Sequence, residues 1–163
     1  MIKIGVISDT HGEFRLVSRA VSMLESLEIK TVLHCGDVGG ESIVKLFSPF
    51  NTHFVRGNTD ESVSLERAVK GAGQSWQGVF GGIEIESVKI GVTHGDNSTL
   101  FNSELSSGRW NLICYGHTHV QTYTVETNGT LLLNPGAFAR VSRASFAVVT
   151  IDGAAIRAEH FSV

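Results

Sequence analysis

The chain has 163 residues, 42% of them apolar, and a net charge of −3 with its histidines neutral. That length fits one domain, residues 1–163, which at this size buries roughly 70% of the surface its unfolded chain exposes and so needs no staple. No run of Lys or Arg stands out, and no apolar run approaches the roughly 18 to 20 residues of a membrane span. Stable nucleic-acid binding and membrane attachment are therefore not expected.

The opening "MIKIGVISDTHG" has too short an apolar stretch for a secretory leader and no small-residue cleavage site, so the expected location is the cytoplasm. Residues 2–8, "IKIGVIS", are nearly all apolar and predict a strand covered on both faces. Phe14, Val17, Ala20, Val21, Leu24 and Leu27 follow with helical spacing, Gly12 standing just before them. "KTVLHCGD" (30–37) reads as a second strand. "ESIVKLFS" (41–48) suits a short helix ended by Pro49, and "THFVRGN" (52–58) is a third strand.

This β-α-β-α-β alternation predicts a parallel sheet with helices packed against it. After a polar, weakly helical stretch at 60–72 the pattern changes to strands at 76–86, 88–93, 112–115, 119–126, 130–133, 145–151 and 154–161. Asn128-Gly129 and Asp152-Gly153 mark tight turns between some of them. Segments 59–75 and 96–110 read as the rim loops that choose a substrate. Cys35 and Cys114 each end an apolar run, form no CxxC pair, and read as buried reduced thiols.

Five predicted strands end alike, in glycine or a small residue beside Asp, Asn or His: Ser8-Asp9-Thr10-His11-Gly12, Gly36-Asp37, Gly57-Asn58, Thr93-His94-Gly95-Asp96 and Gly116-His117-Thr118-His119. Ligands of open α/β sheets bind outside the carboxyl ends of the strands, so these residues are expected along one rim. On a strand, the i, i+2 spacing of Asp9 with His11 and of His117 with His119 puts each pair on one face. Asp9, His11, Asp37, Asn58, His94, His117 and His119 are too many ligands for one ion with room for a substrate, and they suit two. Such a mixed nitrogen and oxygen set fits Mn, Fe, Co or Zn better than Ca or Mg. Two divalent ions against Asp9 and Asp37, with a bridging hydroxide, leave a cage of about +1, which attracts a phosphate oxygen. Ions about 3.5 to 4 Å apart clamp the attacking and leaving oxygens of an in-line displacement.

In this order, "DTHG", "CGDV", "RGNTD", "THGD" and "YGHTH" resemble the calcineurin-like metallophosphoesterases, nearest their small single-domain phosphodiesterase (YfcE-like) branch. "LLLNPGA" (131–137) resembles a further segment of that branch. The resemblance implies a four-layer αββα sandwich of two mixed β-sheets flanked by helices. It implies one ion held by Asp9, His11, Asp37 and His119 and a second by Asp37, Asn58, His94 and His117, with Asp37 bridging. Asp37, Asn58 and His94 take the catalytic positions. Manganese is the first choice of metal, with Fe, Co, Ni or Zn as alternatives. The expected substrate is a small phosphodiester, attacked by a metal-bridging hydroxide; a homodimer is possible on general grounds.

Thr59 departs from the larger enzymes, which carry a histidine there; a threonine hydroxyl is no general acid near neutral pH. Ala137 stands where serine is common. The alternatives are a small-molecule phosphomonoesterase or a non-catalytic scaffold like the retromer subunit of this fold, which has lost ligand positions that this chain keeps. Outside the blocks, His34 reads as a core residue or a support for the ligands, and His53 and His160 as structural or surface residues. Asp60 and Asp96 read as ligand-orienting or turn-capping groups. Arg56 reads as a strand-end ion pair, and Arg140 and Arg143 as candidate phosphate contacts.

Overall fold

The structure, a computed structural model, describes residues 1–163. Its elements run β1 (Ile2–Ile7), α1 (Phe14–Ser26), β2 (Thr31–His34), α2 (Glu41–Leu46), β3 (Asn51–Phe54), α3 (Ser62–Gly71), β4 (Ser75–Trp76), β5 (Phe80–Ile85), β6 (Val88–Thr93), α4 (Ser98–Ser106), β7 (Leu112–Cys114), β8 (Thr122–Val125), β9 (Leu131–Asn134), β10 (Ser145–Asp152) and β11 (Ala155–Ser162). One sheet has the order β11-β10-β1-β2-β3-β4 and the other β5-β6-β7-β9-β8. Both are mixed: β1 to β4 are parallel, β10 is antiparallel to β1 and β11 antiparallel to β10, while β6, β7 and β9 are parallel with β5 and β8 antiparallel at the edges.

Alternating faces of the strands explain the layers. Ile4 and Val6 of β1, with Ala147, Val149 and Ile151 of β10, meet Ile90, Val92, Leu112 and Leu133 between the sheets. Ile7, Val32, Phe54, Phe146 and Val148 point the other way, onto Val17, Val21 and Leu24 of α1, Ile43 and Val44 of α2, and Leu65 and Val69 of α3. Gly5 is required there, because a Cβ would meet Leu24 Cδ2 at 2.8 Å and hold α1 off the sheet. The fourth layer is the single helix α4, tied to the second sheet by Phe101 against Tyr115 (5.2 Å between ring centroids) and by Asn128, which donates to the Leu105 carbonyl. The αββα sandwich of two mixed sheets is thus as expected. Cys35 and Cys114 are free, buried thiols in the layer between the sheets, and burial raises both pKa values.

Four local expectations change. The strand expected at 76–86 is two: Ser75–Trp76 closes the first sheet and Phe80–Ile85 opens the second, the chain crossing at Gly78 (φ 69°). At that φ a residue with a side chain is strained and glycine is not, although a Cβ there would meet no neighbour. The strand expected at 119–126 is only Thr122–Val125. The loop expected at 96–110 contains α4, capped by Asn97, whose side chain accepts from Leu100 N–H. No residue of α4 is buried, so it has no apolar stripe to read. Segment 59–75, expected as a rim loop, holds the helix α3 that its weakly helical stretch at 60–72 suggested, and the N-cap Glu61 accepts from Val63 and Ser64 N–H. No helix is long and apolar enough to cross a membrane.

Ile7, His34 and Phe54 stand level in the first sheet, and Val92 and Cys114 in the second. The segments that follow all five strands leave along one edge.

Candidate metal centre

β1, β2, β3 and β7 end before the residues of interest, so these sit in turns rather than on strands. Asp9 (φ 53°), His11 (43°), Asp37 (53°), His117 (67°) and His119 (60°) all adopt the left-handed region. The i, i+2 strand-face reason for pairing Asp9 with His11 and His117 with His119 is therefore replaced by turn geometry. Five of the eight non-glycine residues with positive φ lie here, which concentrates the backbone strain of the molecule at this edge.

The donor atoms form two groups, each with its ligand atoms within 4.8 Å of one another: Asp9, His11 and His119, and Asp9, Asp37 and His94. Asp9 is common to both, where the sequence places Asp37 in the middle. Asp37 is nevertheless close to both groups, its Oδ2 lying 3.5 Å from His11 Nε2 and 3.3 Å from His94 Nε2. Each carboxylate spends one oxygen on a neighbouring turn. Asp9 Oδ2 accepts from Ser8 Oγ (2.7 Å) and His117 N–H (3.0 Å), and Asp37 Oδ1 accepts from Thr59 N–H (2.9 Å). The other oxygen of each faces inward.

Those inward atoms fit a cation. Asp9 Oδ1 and His11 Nε2 are buried with no hydrogen-bond partner; His119 Nε2 is 3.0 Å from Asp9 Oδ1 but not aligned to donate. Unpaired buried polar atoms are costly, and ions or protons are their usual partners. His94 repeats the pattern. Its Nδ1 lies 2.8 Å from the Cys35 carbonyl, which can only accept, so Nε2 faces Asp37 Oδ2 and Asn58 Oδ1 (3.0 Å) across an oxygen-lined gap. Burial works against charge on His94, yet the hydrogen bond and charge of Asp37, with Asp9 and the Cys35 carbonyl, raise its pKa above the ordinary 6.5. Burial also works against charge on Asp37, but hydrogen bonds from His94 and Thr59 and the charge of His94 hold it well below the carboxylate range. A proton on His94 stands where a metal ion can replace it. Asn58 Oδ1 also lies 3.1 Å from His117 Nδ1, which places these two more exposed residues at the outer edge of the second group.

Groups that sequence reading left vague hold the turns in place. Asp60 caps: its carboxylate accepts from Val38, Gly39 and Gly57 N–H at 2.9–3.2 Å, fastening the turn of Asp37 to that of Asn58. His34 is fully buried, stacked on Phe54. Its Nδ1 accepts from Gly36 N–H (3.3 Å), so Nε2–H donates to Thr10 Oγ1 (2.9 Å), which donates to the Val38 carbonyl (2.8 Å). Burial, then the charge of His94, lowers the His34 pKa to about 3, keeping the ring neutral. Ser8 and Asn134 have no place among the predicted site residues. Asn134 Nδ2 donates to the Gly116 carbonyl and to Thr118 Oγ1, holding the turn of His117; its signal was "LLLNPGA". Gly57 and Gly116 allow close approach: a Cβ on the first would run into Asp37 Oδ1, and one on the second into Ser8 Oγ and Asp9 Oδ2.

Other expectations resolve simply. Asp96 is exposed and bonds to nothing; Asn97 caps the helix beside it. Arg56 forms no ion pair, its Nε donating instead to the Gly57 carbonyl (3.1 Å). His160 Nε2 meets the Asn134 carbonyl at 2.8 Å, and His53 meets Gln77.

Two packed mixed sheets whose strand ends converge on carboxylates and imidazoles define a metal-dependent hydrolase class. The profile of the calcineurin-like phosphoesterase superfamily domain matches residues 2–154, and the chain belongs to that family. It is a metal-dependent phosphoesterase. It is 30% identical over 139 residues to phosphodiesterase MJ0936 of Methanocaldococcus jannaschii, covering 83% of each chain. Its fold superposes on a solved archaeal phosphodiesterase with a TM-score of 0.86 at 25% identity, covering 98% of this chain and 100% of that one. It also superposes on Vps29 of Entamoeba histolytica, solved with zinc, with a TM-score of 0.67 at 20% identity and 99% of each chain covered; that likeness is one of fold.

Proposed function

We propose that this chain is a single-domain phosphodiesterase that works with two divalent metal ions. The observation that carries the reading is the pair of buried, unpartnered atoms Asp9 Oδ1 and His11 Nε2, beside a His94 Nε2 that faces only oxygens. Asp9, His11, Asp37 and His119 would hold one ion, and Asp37, Asn58, His94 and His117 the other, with Asp9 close to both groups. Manganese is the first candidate. When bound, such a pair supplies Lewis acidity at phosphorus and makes an attacking hydroxide available near pH 7.

The chain's own residues do the rest. Asp37, Asn58 and His94 take the catalytic positions. The Cys35 carbonyl fixes the tautomer and aim of His94, as the outer partners of ligand histidines commonly do. The turns of His34, Asp60 and Asn134 keep the donors from reorganising when a phosphate arrives. Thr59 leaves the rim without an imidazole to protonate a departing alcohol, which favours diesters with acidic leaving groups. The scaffold reading suggested by the Vps29 likeness is weaker, because every ligand position is filled and the donor atoms converge.

The test is metal analysis of the purified chain with hydrolysis of bis(p-nitrophenyl) phosphate, with and without added Mn²⁺. Two ions per chain and Mn²⁺-dependent turnover are expected, and His119→Ala should lose most of the turnover and the ion of its own group while staying folded. Unchanged turnover in that variant would remove the ligand assignment.

A further inference from the structure

Two cavities open at this edge, one on each side of the donors, and their charges are opposite. On the Thr59 side a cavity of about 350 Å³ is lined by Glu41, Thr59, Asp60 and Glu61. Of its three carboxylates only Glu41 has a cation, Lys45 at 2.7 Å; Asp60 and Glu61 face backbone N–H groups, which leave their charge in place. On the His119 side a cavity of about 600 Å³ shares His119 with the donor groups and is lined by Gln121, Ser142, Arg143 and Ser162. Arg143 is its one residue of fixed charge and enters none of the molecule's ion pairs.

A phosphodiester at the centre has two ester arms, and the edge leaves them these two openings. A negatively charged arm is repelled by the carboxylate side and drawn to the guanidinium side. Arginine binds carboxylate and phosphate groups with two parallel N–H donors, and Ser142, Ser162 and the Gln121 amide add polar groups to a wall that also carries Val120, Ala137 and Val141.

We propose that the cavity between His119 and Arg143 receives an anionic group, a carboxylate or a phosphate, carried on one arm of the phosphodiester, and that Arg143 sets this preference. The inference rests on the phosphodiesterase reading above and narrows its substrate class. It also fixes orientation: the charged arm lies over Arg143 and the uncharged arm over Thr59.

The test uses two esters with the same leaving group, propyl p-nitrophenyl phosphate and 2-carboxyethyl p-nitrophenyl phosphate, on the metal-loaded full chain. The carboxyethyl ester should have about tenfold higher kcat/KM, expressed mainly in KM, the size expected of a charge-assisted contact in a partly solvated site. Arg143→Ala should bring the two esters within about twofold, Arg143→Lys should keep part of the difference, and Arg143→Glu should reverse it. A 2-(phosphonooxy)ethyl arm run alongside separates phosphate from carboxylate as the favoured group. Calorimetric titration with 3-phosphonopropionate against propylphosphonate reads the same preference without turnover. Equal treatment of the two esters, or a preference that survives in Arg143→Ala, overturns the inference and leaves the phosphodiesterase reading intact. If neither ester is cleaved while 3-phosphonopropionate still binds more tightly through Arg143, the anion site stands and the phosphodiesterase reading falls.

Discussion

The two sheets bring different chemistry to one edge. The turns after β1, β2 and β3 of the six-stranded sheet supply Asp9, His11, Asp37 and Asn58, which include every oxygen donor of the site. The turns after β6 and β7 of the five-stranded sheet supply only imidazoles, His94, His117 and His119. They are also braced differently. The six-stranded side is tied turn to turn within itself by His34, Thr10 and Asp60. On the five-stranded side the His117 turn leans on Asn134 and on Asp9, a residue of the other sheet. Neither sheet alone completes a donor group: each of the two groups joins carboxylate oxygen from the six-stranded side to a histidine from the five-stranded side. Docking of the sheets, driven by the apolar layer between them, is therefore also the assembly of the centre.

The comparison is tested hardest at Asp9, which serves both halves. Asp9→Ala should abolish detectable metal binding and lower turnover by about a thousandfold, equivalent to several kcal/mol of lost charge stabilisation. Mass spectrometry of the metal-loaded variants and steady-state rates check this. If His119→Ala, which belongs to only one group, does equal damage to metal content, Asp9 does not serve both donor groups.

Two glycines separate the halves next. Gly57→Ala crowds Asp37 within the six-stranded side, and Gly116→Ala pushes the five-stranded side off Ser8 and Asp9. Each should weaken metal binding by about 10- to 100-fold, the range seen when the supports of ligands are disturbed. Titration with Mn²⁺ followed by calorimetry measures it. A tolerated Gly116→Ala would mean that the two sheets do not need their close approach.

The two buried histidines should answer pH with opposite signs in metal-free protein. His34 has a folded pKa of about 3 against the ordinary 6.5, so the unfolded chain binds the extra proton. Its contribution to stability is present above pH 6.5 and is lost as the pH falls toward 3, at up to about 1.4 kcal/mol per unit, or about 2 kcal/mol between pH 6.5 and 5. His94 has a raised folded pKa, so its contribution is present below pH 6.5 and is lost as the pH rises through that higher value. Urea unfolding of wild type and His34→Gln across pH 5 to 8 should show the acid-side slope reduced in the variant. An unchanged slope would mean that other groups carry it.

The smallest effect is expected at Thr59, which lies on the exposed face of the six-stranded side. Thr59→His should raise cleavage of an alkyl diester by about tenfold with little change on an aryl one, a fraction of the 10²- to 10⁴-fold that a well-placed general acid supplies. Equal gains on both substrates would detach Thr59 from leaving-group protonation.

Much of this was legible in the residues themselves. The helix α1 announced itself by apolar spacing, and its buried residues Val17, Ala20, Val21 and Leu24 are those that the spacing selects. The strands before the donors were legible as apolar runs ending in glycine and Asp, Asn or His. What periodicity missed was short or exposed: the two-residue β4 and the helix α4 bury too little to leave a pattern. His34 and Asp60 were visible only as polar residues near the blocks, since a capping or bridging role depends on a partner turn.

By itself, then, the order of residues determined the kinds of donor and the strand ends that carry them, because local burial leaves its mark every second or every third to fourth residue. The tertiary structure alone decided which oxygen of each carboxylate faces inward, and that Asp9 stands in both groups. It also decided that openings of opposite charge flank the donors. Those features rest on contacts between residues 22 to 108 positions apart and on left-handed turns, which no local pattern records.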